Sequence, residues 1–377
     1  MNDSKDHNKA RLSFTPRDIL AAAPIRRRAL ILCLTCTLFL AACAPAGAGG
    51  SSRESAKQAQ GVSAQNFQLD TLVRITVYDS GDQALLQEVF DEIDRLESIL
   101  SAAKPESDPD RLAANAGTAY IEVAEDTLYL LRTGAVFSSM TGGAFDCTVG
   151  PLVSLWGIRN SGGHYPNEEE LLQALSLIGY GDVLINDDQQ VMLKKAGMKV
   201  DFGAIAKGYI ADEVKKLLTA KGVSSALIDL GGNIVLLGSK PDGSGFRVGA
   251  RDPAGSDNDY FGVFTVTDKS LVSSGSYERY FVHEGKAYHH IFDVRTGFPA
   301  ENELVQVTIL SDSSTVGEGY STSAFLLGLD RGFALVSAAQ GVEGVFVTKD
   351  KKVYVTQGAR NSFRLESEEY VLAEIAK

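Results

Sequence analysis

The chain has 377 residues, 44% of them hydrophobic, so it can bury at least one sizeable core, and disorder along its whole length is excluded. Its formal net charge is −12. An acidic body repels nucleic acid and anionic lipid surfaces, so neither is expected as an electrostatic partner.

The N-terminus carries an address. Ala29 to Ala42 is an apolar run that follows Arg26, Arg27 and Arg28 and ends in Leu40-Ala41-Ala42-Cys43. It is too short to span a bilayer comfortably, and small residues crowd the cysteine, as in a secretory signal over residues 1–42. Leu-Ala-Ala-Cys resembles the bacterial lipobox, which implies lipidation of Cys43 and an exported protein held by acyl chains on the extracytoplasmic face of the cell membrane. An uncleaved hydrophobic anchor is the alternative. The leader holds seven basic and three acidic residues, so its removal leaves a body of formal charge −16. Cys33 and Cys36 leave with it, Cys43 takes lipid, and Cys147 remains, which excludes an intrachain disulfide and a cysteine-based metal site. Residues 43–64, rich in Ala, Gly, Ser and Gln, are expected as a flexible tether, and residues 65–377 as one folded domain starting near Phe67.

Within that domain, Leu69 to Tyr78 alternates as a strand and Ala84 to Leu100 carries apolar residues at helical spacing. Helices are predicted over Glu125–Thr141, Glu168–Ile178, Ala206–Lys221 and Gly317–Leu327. Strands are predicted over Val191–Val200, Ser225–Leu230, Ile234–Gly238, Phe246–Ala250, Val263–Thr267, Val305–Leu310 and Gly344–Val347. Strands cluster between scattered helices, which favours an α+β fold with mainly antiparallel sheets and flanking helices over a doubly wound parallel one.

Six stretches combine glycine with groups suited to chemistry. Thr141 to Gly157 pairs glycines with Asp146, Thr148 and the lone tryptophan, Trp156; the plain alternative is a turn and a core segment. Val200 to Asp212 runs a strand into Gly203 and a helix bearing Lys207, where free amides and a positive dipole end suit a phosphate, although the Walker spacing is absent. Leu227 to Ile234 holds Asp229 and the Gly231-Gly232 pair between strands. Leu271 to Phe281 offers hydroxyls at Ser273, Ser274 and Ser276 beside Gly275, in what reads as a loop able to bind pyrophosphate. His290, followed three residues later by Asp293, is a candidate acid/base pair; a structural histidine with its hydrogen bonds satisfied is the commoner alternative. Glu318 and Thr322, four apart at a helix start, with freed backbone carbonyls, make an all-oxygen set suited to Mg²⁺ rather than Zn²⁺; the plain alternative, favoured by spacing alone, is a helix-surface pair with no metal.

Taken in this order, Gly-Gly-Ala-Phe-Asp146, Val-Gly-Pro-Leu-Val-Ser-Leu-Trp156, Ala-Lys-Gly-Tyr209, Leu-Gly-Gly-Asn233, Ser-Gly-Ser-Tyr-Glu-Arg-Tyr280 and His290 with Asp293, Arg295, Thr296 and Gly297 resemble the ApbE family of FAD:protein FMN transferases. Asp70-Thr71 and Leu96-Glu97 with Ser101 are similar to the family's opening segment. The resemblance spans about Phe67 to Gly328 and implies a fold unlike Rossmann binders. It also implies FAD as substrate and Mg²⁺ at the FAD diphosphate, held by Glu318 and Thr322 side chains with carbonyls of Ala206 and Ser321. Thr71, Asp146, Trp156, Lys207, Asp229, Gly231, Gly232, Ser273, Ser274, Gly275 and His290 are implied to line the FAD, with His290, Asp293 and Lys207 catalytic. The implied partner is an acceptor protein of a membrane electron-transfer complex, of the Rnf or Nqr type. This sequence departs from the family's usual Asp at Glu318, Thr at Ser273 and Pro at Cys147 and Val294. An FAD pyrophosphatase and a non-catalytic FAD-binding lipoprotein are the competing expectations.

Overall fold

The computed structural model describes residues 61–158, 162–256 and 258–375. The signal segment, Cys43 and the tether up to residue 60 lie outside the described residues. The chain opens with β1 (Val62–Gln68), β2 (Thr71–Val77), α1 (Gln83–Leu100), α2 (Asp108–Ala114) and α3 (Glu125–Thr141). Next come α4 (Gly150–Trp156), α5 (Glu168–Ser176), β3 (Val183–Ile185), β4 (Val191–Leu193) and α6 (Ala206–Ala220). A run of strands follows: β5 (Ala226–Leu230), β6 (Asn233–Leu237), β7 (Phe246–Arg251), β8 (Tyr260–Val266), β9 (Ser270–Gly275), β10 (Tyr280–His283), β11 (Lys286–His289) and β12 (Leu304–Ser311). The chain closes with α7 (Ser314–Leu327), α8 (Leu329–Ala338), β13 (Val342–Thr348), β14 (Lys352–Val355), β15 (Phe363–Leu365) and β16 (Val371–Ala373).

Among the described residues, nine strands form one sheet in the order β1-β2-β5-β6-β9-β12-β13-β14-β16, and only the β14–β16 pair is parallel. The α+β, antiparallel expectation holds. Helices α6 and α7 pack on one face of this sheet. On the other face, Leu236, Leu271, Leu310, Val345 and Val353 meet Phe246, Phe261 and Phe264 from the three-stranded sheet β15-β8-β7 in a shared core. Three layers result: helices, large sheet, small sheet.

Local sequence explains the best-read elements. Asp82 caps α1 by accepting the Ala84 N–H at 2.9 Å, and Leu85, Leu86, Val89, Phe90, Ile93, Leu96 and Leu100 are all buried along one stripe. The chain enters the sheet at Val62, ahead of the expected tether end at Ala64. Strand β1 is an edge strand with exposed polar residues, so its composition looks like linker while its backbone pairs with β2. The segment Val191–Val200 is strand only over β4. Ser270 to Gly275, expected as a loop because of its serines, is strand β9, paired with both β6 and β12.

Helices α6 and α7 cap each other. No side chain of its own caps α6, and the N–H of Gly208 in its first turn donates to the Glu318 carboxylate at 2.6 Å. In return Asp212 of α6 accepts the N–H groups of Ser314 and Thr315, at 2.8 and 2.9 Å, at the start of α7. The two helices meet so closely at Gly208 that a Cβ there would stand 2.4 Å from the Ser314 carbonyl oxygen.

Candidate active site

A cleft of about 590 Å³ opens between the two sheets, bounded at one end by the start of α6. That volume falls within the roughly 300–1,000 Å³ of small-molecule sites. Four elements bring the predicted residues to it: Thr71 from β2, Ala206 and Lys207 from α6, Gly231 and Gly232 from the β5–β6 turn, and Ser273 from β9; His290 follows β11. Gly231 has φ +65°, and a Cβ there would lie 2.1 Å from the Thr71 hydroxyl, so close packing of the two cleft-wall turns requires glycine.

Strand alternation splits the serine pair. Ser273 faces the cleft and hydrogen-bonds Thr308 at 2.8 Å, while Ser274 faces α7 and meets Ser321 at 2.8 Å and Thr322 at 3.3 Å. Gly275 is covered by the Tyr277 ring, which a Cβ would meet at 2.5 Å. The Tyr277 hydroxyl in turn donates to Gln306 at 2.9 Å, and Gln306 donates to Thr308 at 3.0 Å. This chain of hydrogen bonds fixes the hydroxyl-bearing floor of the cleft.

Behind the α6 wall stands the oxygen-rich group. Glu318 is 4% exposed, and its Oε1 lies 4.0 Å from Lys207 Nζ. Burial pushes its carboxyl up to about 7, against the pull of Lys207 and the Gly208 N–H. The Ser321 hydroxyl bridges the Glu318 carbonyl, at 3.0 Å, and Ser274. Glu318, Ser321, Thr322 and Ser274 thus gather carboxylate and hydroxyl oxygens within one helical turn and one facing strand.

His290 is held through one carbonyl. Its N–H donates to Arg279 O at 3.1 Å, and Nδ1 lies 3.2 Å from the same oxygen. Burial against the cleft wall pushes the imidazole down to about 3, with the cations Lys207 and Arg279 adding to the shift, so the ring is neutral. Asp293 does not pair with it. Its carboxylate takes the Arg295 guanidinium at 2.9 and 2.6 Å and the Arg295 N–H at 2.9 Å, closing a turn. The expected acid/base pair is therefore corrected: sequence proximity put Asp293 three residues away, but a local turn consumed its charge.

Three further residues expected at the FAD, Trp156, Asp146 and Asp229, lie outside the cleft lining. Trp156 is fully buried among Tyr165, Phe281, Tyr288, Phe292 and Phe298, and its Nε1–H donates to Gly297 O at 2.8 Å. It anchors the β10–β11 hairpin from behind and does not line the cleft. Asp146 accepts from Thr148 N–H and hydroxyl, both at 2.7 Å, and from Tyr180 N–H at 2.9 Å, stapling two turns outside the cleft. Asp229 shapes the glycine turn by accepting the Gly232 N–H at 2.9 Å.

The cleft also contains groups that residue type alone did not single out. Arg251 on β7 sits over the Tyr277 ring at 5.1 Å, and Glu278 and Arg279 extend from the end of β9. Glu278 keeps an exposed face at the cleft; desolvation on its inner side pushes its carboxyl up, while Lys207, Arg251 and Arg279 pull it down. Tyr277, Glu278 and Arg279 fall inside the Ser-Gly-Ser-Tyr-Glu-Arg-Tyr stretch, which was the available signal; Arg251 had none.

An α+β scaffold whose sheet-sheet cleft meets a lysine-bearing helix start, a neutral histidine and a buried set of oxygen donors defines a site for handling a phosphate-containing ligand. The chain belongs to the ApbE family, whose model matches residues 69–346. It is 36% identical to an FAD:protein FMN transferase of Treponema pallidum, over 81% of this chain and 89% of that protein. A Klebsiella pneumoniae FAD:protein FMN transferase is 35% identical, over 75% and 88%. Among solved structures, the ApbE protein of Thermotoga maritima aligns with TM-score 0.74 at 30% identity, covering 81% of this chain and all of the other. The flavin transferase ApbE of Vibrio cholerae aligns with TM-score 0.73 at 26% identity, over 81% and 99%.

Proposed function

We propose that this chain is a Mg²⁺-dependent FAD:protein FMN transferase. The acceptor is a Thr or Ser of an exported redox protein, and AMP is the leaving product. The observation that carries the reading is the placement of Lys207 between the cleft and Glu318, 4.0 Å from the carboxylate. The relatives named FAD:protein FMN transferase support it.

In this reading the acceptor hydroxyl oxygen bonds to the FMN phosphorus, the link between the two phosphates breaks, and AMP carries away its electron pair. By type the implied donors suit Mg²⁺, being all oxygen: the Glu318 and Thr322 side chains, one turn apart on α7, with the Ala206 and Ser321 carbonyls that the family resemblance implies. Bound there, the ion would offset diphosphate charge and stabilise the leaving AMP. Lys207 adds a positive charge against the same phosphates, while amides of the α6 first turn favour an anion. His290, neutral and so able to accept, receives the hydroxyl proton; the negative diphosphate bound beside it would offset Lys207 and Arg279 and raise the basicity of the ring from its ligand-free value. The Gly231-Gly232 turn, Thr71 and Ser273 shape the wall against which the dinucleotide lies.

A Cys43 lipid anchor on the extracytoplasmic face would confine the enzyme to the membrane that carries an Rnf- or Nqr-type acceptor, raising effective concentration. The test is to incubate the purified protein with FAD, Mg²⁺ and an exported acceptor domain, then weigh the acceptor. Covalently attached FMN supports the reading. Free FMN and AMP with unmodified acceptor would assign water as the acceptor instead, and no metal-dependent cleavage would overturn the proposal.

A further inference from the structure

Arg279 is fastened at both ends. Its guanidinium Nη2 donates to the backbone oxygen of Asp70 at 3.1 Å, and its own backbone oxygen accepts from His290 N–H at 3.1 Å and stands 3.2 Å from His290 Nδ1. Asp70 is the second residue of the tight β1–β2 turn, where Leu69 and Asp70 have φ +55° and +56°. That turn lines the cleft together with Arg279 and His290.

A carbonyl oxygen only accepts, so the contact with Nδ1 requires the proton on Nδ1. The hydrogen bond made by one ring nitrogen sets the state of the other. Nε2 is then the nitrogen with a free lone pair. Free neutral imidazole side chains prefer the opposite tautomer, with hydrogen on Nε2, so this site holds the less favoured form by geometry. Arg279 directly precedes β10, and His290 directly follows β11, whose Tyr280–His289 pairing is the last register step before them. The Arg279 carbonyl is therefore aimed by two supports: the hairpin ladder on one side and the guanidinium strut to Asp70 on the other.

We propose that Arg279 is a positioning residue: its strut to the β1–β2 turn aims its carbonyl at His290 Nδ1 and leaves Nε2 as the basic nitrogen. The inference rests on His290 acting as the base in the transfer proposed above. Its physical content is the tautomer, which is measurable without any reaction. Loss of the guanidinium frees the start of β10 to turn its carbonyl toward solvent, and the ring reverts toward the Nε2–H form.

The full chain labelled with ¹⁵N-histidine, without ligand, gives the tautomer from long-range ¹H–¹⁵N correlations. His290 is picked out among the five histidines by the signal lost in His290→Gln. Wild type is expected as Nδ1–H, Arg279→Met as Nε2–H or a mixture, and Arg279→Lys, which retains one donor, nearer to wild type. Flavin transfer at saturating FAD and acceptor is expected to fall about tenfold or more in Arg279→Met, with partial rescue by Lys, the scale of a misoriented general base. Nδ1–H retained in Arg279→Met, with only the KM for FAD raised, would overturn the proposal and make Arg279 a ligand contact. An Nε2–H wild type overturns it with no variant needed. Full transfer activity in His290→Gln, with the tautomer change present in Arg279→Met, would sink the assignment of the base while leaving the positioning intact.

Discussion

The Glu318 carboxylate accepts the N–H of Gly208 at 2.6 Å, so a side chain in the middle of one helix satisfies the first turn of its neighbour. Its role in the fold and its proposed role toward Mg²⁺ separate by substitution. Glu318→Gln keeps an oxygen for Gly208 and removes the cost of burying a carboxylate, so thermal stability should match or exceed wild type. Glu318→Ala leaves the N–H unpaired and should cost about 1–3 kcal/mol. Both should lose metal-dependent FAD cleavage, read by AMP release.

Trp156 packs behind the hairpin that carries His290 rather than against the cleft. Trp156→Phe should lower unfolding free energy by about 2 kcal/mol through lost volume and the lost Gly297 hydrogen bond, while FAD affinity stays close to wild type. Denaturant titration and FAD binding check the two halves. A large affinity loss without a stability loss would place the indole on the ligand.

Asp293 is consumed by Arg295. Asp293→Asn should slow transfer by less than about tenfold, against the 10²–10⁴-fold of a lost base. Steady-state rates at saturating FAD decide it. A loss as deep as that of His290→Gln would restore the acid/base pair.

His290 titrates near 3 in the folded protein and near its ordinary 6.5 once unfolded. The unfolded state therefore binds more protons between those values, and stability rises with pH across that window. The contribution is whole above pH 6.5 and is lost as pH falls toward 3. One group contributes a slope of at most about 1.4 kcal/mol per pH unit. Unfolding free energies of His290→Gln measured from pH 4 to 7 should show a shallower slope than wild type; parallel slopes would refute the assignment.

Much of the scaffold was legible because its signals are local. Stripes at helical spacing in α1, α3 and α6 are written within single segments, and the Gly231-Gly232 pair marks its own turn. Elements without such marks were missed. The hairpin β10–β11 owes its place to Trp156, more than a hundred residues earlier, and α8 begins directly beyond Gly328, a residue type that ordinarily ends a helix.

The sequence by itself determined the residue types gathered for phosphate chemistry, the mainly antiparallel α+β class, and the order of motifs that places the chain in its family. Only the tertiary structure decided which of those residues meet. Ser273 faces the cleft and Ser274 the helices because β9 is registered between β6 and β12, and Glu318 reaches Gly208 because α6 and α7 touch at a residue without a side chain. A strand's facing is set by partners remote in sequence, and a carboxylate's role by whichever donor lies nearest in space, so neither is written in the segment that carries it.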